Sequence, residues 1–413
     1  MGGIALDREA AWRDIFERHD IVRKVNDYGY FDITASQIND IGGPDARVMA
    51  KIDSRENLPR IMSINSLAML AIRNGVYRIG RFNPFFALQG QYQGHVENVS
   101  FPTSIITLDP ACVTTESAAL DIAAVSGMLG RVFGEDVQLT IRGRTRAGAD
   151  FAFKLDTVSF PVSGVQIEVD GGYEGTAHVN LVEAKIGGRD NITLRQILYP
   201  QRCWERVLGH TKPVRSYVFM YQEPLFRFIP VICEGDALPV ADHDHERVFQ
   251  IKERERLDLA AVPSEESEPL VDPCAPFPQA NDFGKVLAML SLVSTSGRSR
   301  KTDLSLEFDI TSRQIDYYYA ALRWMRLCTD EDGDIILTPL GLEISRMPHM
   351  RKMQALAHIV FSEPVFRESL GGTVPDTGSK LWDRWGVNDN TRTRRQGTVV
   401  SWVNFFKKVA ATT

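Results

Sequence analysis

Two carboxylates and a lysine stand close together in residues 165–189, near the middle of the chain. Asp170 ends a run in which apolar and polar residues alternate, and Glu183 and Lys185 follow in a second β-rich run with the spacing D-x12-E-x-K. Side chains of a strand alternate between its two faces, so Glu183 and Lys185 share one face. If the two runs fold back on each other about Ala177, Asp170 lies opposite Glu183. The spacing therefore predicts a β-hairpin that gathers three charged groups at one sheet edge.

These three groups suit the metal-dependent cleavage of a phosphodiester. Mg²⁺ prefers oxygen ligands and keeps several waters, so Asp170 and Glu183 suffice as ligands beside a backbone carbonyl and a substrate phosphate. Lys185 can contact the phosphate, and it can orient the attacking water or help to deprotonate it. Glu174, in the same hairpin, is the alternative to Asp170 as the first ligand.

A helix is predicted on each side of the hairpin. Residues 114–133 form one helical run, which Thr114 or Thr115 can cap and which carries Glu116 in its first turn, where a negative charge suits the helix dipole. Residues 193–204 predict the helix after the lysine.

Pro200 is expected to kink or divide that second helix, because proline has no N–H to donate within it. Arg195 or Gln196, near the start of the helix, can reach the phosphate. The two segments 214–219 and 225–232 are rich in β-forming residues and predict further strands.

Glycines are expected to shape the hairpin itself. Residues 171–172 are both glycine, and residues 175–176 are Gly-Thr. Both pairs are typical of bends and turns. We therefore expect the chain to leave the first strand at residues 171–172 and to reverse shortly afterwards.

The hairpin, the strand GVQIEVDGGYEG and the following RQILYP resemble the PD-(D/E)XK nuclease superfamily, specifically type II restriction endonucleases. The resemblance implies an α/β (α+β) restriction-endonuclease-like core, in which a mixed sheet is flanked by helices. It adds Glu116 and Gln196 to the catalytic set and implies Mg²⁺ as cofactor, held by Asp170 and Glu183, with Mn²⁺ able to substitute. The sequence departs from the family at Val169, where a proline is expected before the first acid.

Composition sets the broad class of the protein. A length of 413 residues predicts about two or three domains, and 44% hydrophobic with 24% charged residues is typical of a soluble globular protein. No run approaches the ~18 apolar residues of a membrane helix. The N-terminal segment lacks the apolar core of a secretory signal, and the five cysteines show no CxxC or metal spacing. We therefore expect a cytoplasmic, prokaryotic protein with no membrane partner.

The net charge of −6 argues against a nonspecific nucleic-acid coat protein, but local basic clusters fit a site-specific nuclease. Such clusters occur at residues 142–146, 298–301 and 392–395. The DNA contacts predicted from them are Arg142, Arg144, Arg298, Arg300, Lys301 and Arg394.

Residues 257–280 are rich in proline, serine and glutamate, which is typical of a linker that cannot build a core. Beyond them, residues 283–294, 302–308 and 311–327 predict helices, and residues 330–339 predict a turn and a strand. This order resembles a winged helix-turn-helix, whose third helix enters the major groove. By that resemblance the residues that read bases or contact the DNA backbone include Ser312, Arg313, Gln314 and Tyr317.

These patterns predict four segments. Residues 1–100 form a small N-terminal α+β domain, with strands at 46–53 and 75–82 and with DNA contact as one interpretation. Residues 101–256 form the nuclease core, 257–280 a linker, and 281–413 the winged-helix domain with C-terminal helices.

The sequence as a whole predicts a Mg²⁺-dependent type II restriction endonuclease that hydrolyses double-stranded DNA at specific sites. The family resemblance implies a homodimer and a cognate DNA methyltransferase as functional partner. Two alternatives stay open from the sequence: a DNA repair or junction-resolving nuclease on the same core, and a noncatalytic winged-helix regulator.

Overall fold

A computed structural model describes residues 7–88, 94–110, 113, 115–146, 149–235, 237–252, 256–262, 268–301, 303–304 and 312–412. Its α-helices are α1 (Arg8–His19), α2 (Ile21–Tyr28), α3 (Ala35–Asn39), α4 (Ala46–Met49), α5 (Arg60–Ile64), α6 (Glu116–Val125), α7 (Met128–Phe133), α8 (Arg195–Leu208), α9 (Phe283–Ser296), α10 (Ser312–Trp324), α11 (Pro339–Ser345), α12 (His349–Ser362), α13 (Pro364–Ser369) and α14 (Asp389–Thr412).

Its strands are β1 (Tyr30–Thr34), β2 (Ala68–Arg73), β3 (Val76–Gly80), β4 (Phe85–Ala87), β5 (Glu97–Val99), β6 (Gln138–Arg146), β7 (Phe151–Leu155), β8 (Val158–Val162), β9 (Gln166–Glu174), β10 (Val179–Ile186), β11 (Asn191–Thr193), β12 (Val214–Gln222), β13 (Leu225–Ile232), β14 (Val240–Ala241), β15 (Arg247–Ile251), β16 (Arg298–Arg300), β17 (Cys328–Glu331) and β18 (Asp334–Leu337).

An eight-stranded mixed sheet lies at the centre of the protein, with the order β5-β15-β13-β12-β10-β9-β6 and with β14 paired to β13. Strand β10 runs parallel to β12 and antiparallel to β9, and all of its residues are buried. Leu120 of α6 and Phe133 of α7 pack on one face of the sheet. Ile197 of α8 packs on the other face, against Val218 of β12. The expected mixed sheet with flanking helices is confirmed.

The β9–β10 hairpin has the register that the sequence predicts. Val182 pairs with Gly171, so the next position along the ladder brings Asp170 opposite Glu183. The expectation of a bend at residues 171–172 is wrong, because both glycines lie inside β9. A Cβ atom on Gly172 would come within 2.6 Å of the Cβ of Ile141 on β6. Gly172 allows the close approach of β6, Gly171 leaves room for the ring of Tyr173 on the same strand, and the chain reverses only after β9 ends.

The turn between β9 and β10 is held by Glu135, which follows α7. Its carboxylate accepts hydrogen bonds from the backbone N–H groups of Ala177 (2.8 Å) and His178 (3.1 Å) and from Oγ1 of Thr176 (3.0 Å). The Ala177 N–H contributes most to lowering the pKa of Glu135, to about 2. Gly175 leaves the room for this carboxylate, since a Cβ there would lie 2.3 Å from Cδ of Glu135.

The helical run expected over residues 114–133 is two helices. Gly127, at φ +72°, separates α6 from α7, because a left-handed residue ends the helical hydrogen-bond pattern. Thr115 caps α6, with its Oγ1 accepting from the N–H of Ala118 at 3.1 Å. Thr114, the other cap considered, lies outside the described residues.

Helix α8 is continuous, so the expected division at Pro200 is wrong. The proline lies within the helix and is itself buried, together with Ile197, Leu198 and Tyr199. Burial of this apolar face against the sheet outweighs the loss of one backbone hydrogen bond. The helix therefore runs without interruption from Arg195 to Leu208.

The N-terminal unit contains the small antiparallel sheet β1-β3-β2. Residues 46–53, expected to be a strand, instead include helix α4, because Asp45 caps it by accepting from the N–H of Arg47 at 2.8 Å. Phe82 packs edge-on against Phe160 of β8 at 4.9 Å between centroids. The N-terminal unit thus shares a hydrophobic core with the central unit, which carries the eight-stranded sheet.

The C-terminal unit begins with α9 and β16, continues with α10, and then forms the β17–β18 hairpin; its sheet has the order β16-β18-β17. The helix expected over residues 302–308 lies almost wholly outside the described residues. Trp324 of α10 is fully buried. Trp402 of α14 packs against Phe283 of α9, with 4.8 Å between the ring centroids.

The segment expected to be a linker contributes to this C-terminal core instead. Residues 263–267 are outside the described part, but Val271 and Phe277 are buried. The Phe277 ring lies 5.2 Å from Trp382 and 5.5 Å from Phe366. Apolar residues placed between the prolines therefore supply packing that the average composition of the segment conceals.

A buried charge cluster joins the C-terminal unit to the central sheet. Glu223, between β12 and β13, accepts from Nδ1 of His349 at 2.7 Å and from Nζ of Lys352 at 3.1 Å, both on α12. All three side chains are buried. Burial acts to raise the pKa of Glu223, but Lys352 and His349 prevail and lower it to about 2.

No helix in the described part of the chain is long and apolar enough to cross a bilayer. Cys203, Cys233, Cys274 and Cys328 are free thiols, and Cys112 lies outside the described residues.

Replacing Glu135 with Gln should lower the melting temperature at neutral pH, because the amide loses the charge that the turn N–H groups favour. A carboxyl whose pKa falls from 4.5 to about 2 on folding stabilises the protein above pH 4.5, and this stabilisation is lost as the pH falls toward 2. Thermal melts should therefore show a difference that shrinks below pH 4.5. Glu17→Gln, an exposed change on α1, is the control; a difference independent of pH would contradict the role of Glu135.

Replacing Glu223 with Gln should weaken the attachment of the C-terminal unit. Removing one partner of a buried charge cluster costs about 3–5 kcal/mol. Urea unfolding followed by tryptophan fluorescence measures this loss, and limited proteolysis around residues 257–280 should accelerate with it. Glu343→Gln, at an exposed position on α11, is the matched control; equal stability of the two variants would show that the cluster does not hold the units together.

Candidate active site

Five polar side chains converge at the carboxyl end of β10. Asp170 comes from β9, and Glu183 and Lys185 come from β10. Glu116 is the first residue of α6 and Gln196 lies in the first turn of α8. The structure therefore brings together all five residues that the sequence predicts for the catalytic set, on two strands and two helix N-termini.

The groups are linked by direct contacts. Lys185 Nζ lies 2.7 Å from Oε1 of Glu183 and 3.9 Å from Oε1 of Glu116. The N–H of Ala184 donates to Oδ2 of Asp170 at 2.8 Å, and Nε2 of Gln196 donates to Oε1 of Glu183. Glu183 is thus held from two sides, by the ammonium and by the amide.

The lysine carries its charge because carboxylates surround it. Burial acts to lower the pKa of Lys185, but Glu183, Glu116, Asp170 and Asp53 together raise it above its usual value. Burial raises the pKa of Glu183 well above its usual range, although Lys185 opposes this. The pKa of Asp170 is raised in the same way, mainly by burial. One ammonium faces several carboxylates, so the site would carry an excess of negative charge if all of them were ionised.

That excess fits a divalent cation. Asp170 and Glu183 are the hard oxygen donors that Mg²⁺ prefers, and its charge would compensate two buried carboxylates that lack enough positive neighbours. Oε1 of Gln196 is buried without a hydrogen-bond partner in the described structure. No group of three or more His, Cys, Asp or Glu side chains within the described ranges is arranged to hold a metal ion. The protein would therefore supply two carboxylates, leaving the other positions to water, backbone or substrate oxygens.

The cluster lies in a cleft of about 920 Å³. One wall belongs to the central unit, which carries the eight-stranded sheet, and includes Asp170, Lys185 and Gln196. The opposite wall belongs to the N-terminal unit and includes Arg47 and Arg73. The N-terminal unit is thus part of the site, which the sequence indicated only weakly.

Asp53, on that opposite wall, is the acid that the sequence analysis missed. Its carboxylate is almost fully buried and lies 3.5 Å from a guanidinium nitrogen of Arg195, in the first turn of α8. The N–H of Thr193 also donates to the carbonyl oxygen of Asp53 at 2.9 Å. No local motif marks Asp53, because only the packing of the two units places it beside Lys185.

The two acids considered for the first metal position have different surroundings. Asp170 lines the cleft, whereas Glu174 is not among the cleft residues and pairs with Lys212. Lys212 Nζ also donates to the carbonyl oxygen of Gly175 at 3.0 Å. Glu174 therefore belongs to the turn end of the hairpin, and Asp170 faces the site.

The cations predicted on β6 lie near the site but are already paired. Arg142 lies 2.7 Å from Asp121 and donates to the carbonyl oxygen of Asp170 at 3.2 Å. Arg144 lines the cleft and lies 3.0 Å from Glu168. Arg142 therefore supports the backbone that carries Asp170.

The DNA contacts predicted in the C-terminal unit do not line the catalytic cleft. Arg298, Arg300 and Lys301 border a separate surface depression of about 370 Å³ with Asp334. Arg298 lies 2.6 Å from Asp334, and Lys301 lies 2.9 Å from Asp316. These cations are exposed or half-exposed but partly compensated by acids.

The predicted readers of the DNA lie on α10 and α14. Ser312 and Arg313 are at the start of α10, where their side chains fall outside the described structure. Gln314 and Tyr317, further along α10, are half-buried. Arg394 is exposed on α14.

Three family models match the chain, and each is described as a domain of unknown function. Residues 9–79 match DUF6996, residues 80–233 match DUF6997 and residues 285–411 match DUF7226. No curated protein and no solved structure matches the chain. The five converging residues all lie within the DUF6997 match, whereas Asp53 lies within the DUF6996 match.

Proposed function

We propose that the protein is a Mg²⁺-dependent type II restriction endonuclease, which hydrolyses phosphodiester bonds in double-stranded DNA at specific sites. The observation that carries this proposal is the cluster of Asp170, Glu183 and Lys185 at one sheet edge, open to a cleft. The excess of carboxylate over ammonium there favours a cation site beside a phosphate.

Asp170 and Glu183 would hold the Mg²⁺ ion. A bound Mg²⁺ supplies Lewis acidity: it lowers the pKa of water and offsets the negative charge that develops on the phosphate. The N–H of Ala184 and the amide of Gln196 keep the two carboxylates in place for this role. Without these contacts the carboxylate side chains would populate several rotamers, and the site would lose its preorganisation.

Lys185 acts on the phosphate as a charged donor. Its raised pKa keeps the ammonium protonated at neutral pH, so it can bind a phosphate oxygen and stabilise negative charge as the water oxygen attacks phosphorus. Glu116 lies close enough to orient the ammonium. The attacking water gives up one proton to solvent as its oxygen bonds to phosphorus, the bond from phosphorus to the leaving oxygen breaks, and that oxygen takes up a proton from solvent.

Recognition is assigned to the C-terminal unit as a winged helix. The succession α9, β16, α10 and the β17–β18 hairpin, with sheet order β16-β18-β17, supports this proposal. Helix α10 would enter the major groove and β17–β18 would be the wing. Because one such site cuts one strand, the proposal includes a homodimer, and it includes a cognate DNA methyltransferase that protects host sites.

The direct experiment incubates the purified protein with unmethylated phage DNA and Mg²⁺, beside an EDTA control, and reads the products on a gel. We expect discrete, Mg²⁺-dependent bands from the wild type. Lys185→Ala should abolish cutting and leave DNA binding, because it removes the cation at the phosphate. Lys154→Ala, an exposed lysine on β7, is the matched control. Normal cutting by Lys185→Ala would show that the hairpin is not the active centre, and a mobility shift without cutting would favour a noncatalytic regulator.

The same assay distinguishes the two hairpin acids. Asp170→Asn should abolish cutting, because it removes one of the two metal carboxylates that face the cleft. Glu174→Gln should cut at close to the wild-type rate, since it removes only the pairing with Lys212. Cleavage rates on one linear substrate give the comparison, and titration with Mn²⁺ as well as Mg²⁺ tests the metal dependence. The reverse pattern would make Glu174 the ligand.

A further inference from the structure

The charges on the N-terminal wall of the cleft differ from those of the DNA contacts that the sequence predicts. Arg47 follows the start of α4, and Arg73 ends β2; both side chains are exposed and line the cleft. Neither pairs with a carboxylate in the part of the chain that the structure describes. By contrast, Arg144 on the facing wall is paired with Glu168.

A third arginine lies between the two walls. Arg195 of α8 lines the same cleft, and Asp53 is its hydrogen-bond partner within the described residues, at 3.5 Å to one guanidinium nitrogen. A guanidinium has five N–H donors, so several stay available for a ligand. Asp53 belongs to the N-terminal unit, and this contact therefore positions Arg195 through that unit.

Tyr77 places these groups in one neighbourhood. Burial raises the pKa of its phenol, while Arg195 and Arg47 act in the opposite direction and Asp45 acts with burial. The charges of Arg47 and Arg195, from opposite walls, therefore both act on the same phenol. Two backbone contacts also fix the N-terminal wall to the central unit. One is an isolated parallel β-bridge between Arg73 and Ser163, and the other is the hydrogen bond from the N–H of Thr193 to the carbonyl oxygen of Asp53.

A nucleic-acid strand that reaches the catalytic cluster carries phosphates on both sides of the scissile one. The carboxylates near Lys185 would repel these phosphates, so cations must lie elsewhere in the cleft to hold them. The three arginines meet this requirement, because their charge is available and the fork of a guanidinium matches two phosphate oxygens.

Resting on the proposed function, we propose that the N-terminal unit is the second wall of the catalytic cleft and that Arg47, Arg73 and Arg195 bind the phosphates that flank the scissile one. The ligand is the sugar-phosphate backbone of the substrate strand. Sequence selection stays with the C-terminal unit, since contacts to phosphates carry no direct base information.

The test measures binding without cutting. A fluorescein-labelled duplex of random sequence is titrated with the full chain in EDTA, and anisotropy gives the affinity at a series of KCl concentrations. Each phosphate contact contributes about 0.9 to the slope of log K against log salt. Arg47→Gln and Arg73→Gln should each weaken binding several-fold at low salt and lower the slope by about one, and the double variant by about two.

Arg13→Gln is the matched control, because Arg13 is exposed on α1, has no carboxylate partner within the described residues and does not line the cleft. It should leave the affinity and the slope unchanged. Arg195→Gln should also lower the slope, whereas Arg195→Lys should largely preserve it, since a point charge remains. Circular dichroism melts of each variant confirm that the fold is retained.

Cutting of phage DNA is measured separately in Mg²⁺ buffer with the same protein preparations. This second measurement separates the two proposals. If the wild type cuts but Arg47→Gln and Arg73→Gln bind as Arg13→Gln does, the phosphate subsite is overturned and the nuclease function stands. If binding depends on these arginines but no cutting occurs, the subsite stands and the nuclease function falls. Absence of any salt-dependent binding by the wild type overturns the subsite.

Discussion

Several carboxylates share one buried lysine at the centre of this protein. Lys185 contacts Glu183 directly and lies near Glu116, while Asp170 and Asp53 add to the same field. Burial makes unpaired charge expensive, so this arrangement persists only where the surrounding structure holds each group in place. A divalent cation would offset the charge of these carboxylates, and this requirement is the basis of the proposed chemistry.

Much of the central unit, which carries the eight-stranded sheet, serves to fix that cluster. Strand β10 is buried along its whole length, so Glu183 and Lys185 cannot move away from the sheet edge. Glu135 holds the turn from which β10 starts, and Gly172 of β9 lets β6 approach closely. The two helices add Glu116 and Gln196 from their first turns. Positions at a sheet edge thus become a preorganised set of oxygen and nitrogen groups.

The cations of the two outer units differ in how far nearby acids compensate them, which bears on the proposed binding of nucleic acid. In the C-terminal unit Arg298 and Lys301 are compensated by acids of the same unit, whereas Arg47 and Arg73 on the N-terminal wall have no such partners within the described residues. Unpaired cations hold phosphates, and compensated ones keep a surface adaptable without strong nonspecific attraction. The buried Glu223 cluster connects the C-terminal unit to the sheet that carries the cleft.

Local patterns were sufficient to predict the hairpin and the residues that converge on it. Alternation in β9, the spacing from Asp170 to Lys185 and the cap of α6 are all short-range, because the two-residue period of a strand and the geometry of a helix N-terminus depend on neighbouring residues. The same rules misplaced the bend at residues 171–172 and the break at Pro200. There, packing against Ile141 and the burial of α8 decided the conformation.

The sequence by itself determined which residues form the hairpin of β9 and β10 and which face of each strand they occupy. Tertiary structure alone decided that the N-terminal unit closes the cleft, that Asp53 holds Arg195 and that residues near Phe277 enter a core. These contacts join residues far apart in the chain, and no local period or motif records them. They depend on which surfaces pack together, and that is settled only when the units bury their apolar faces against one another.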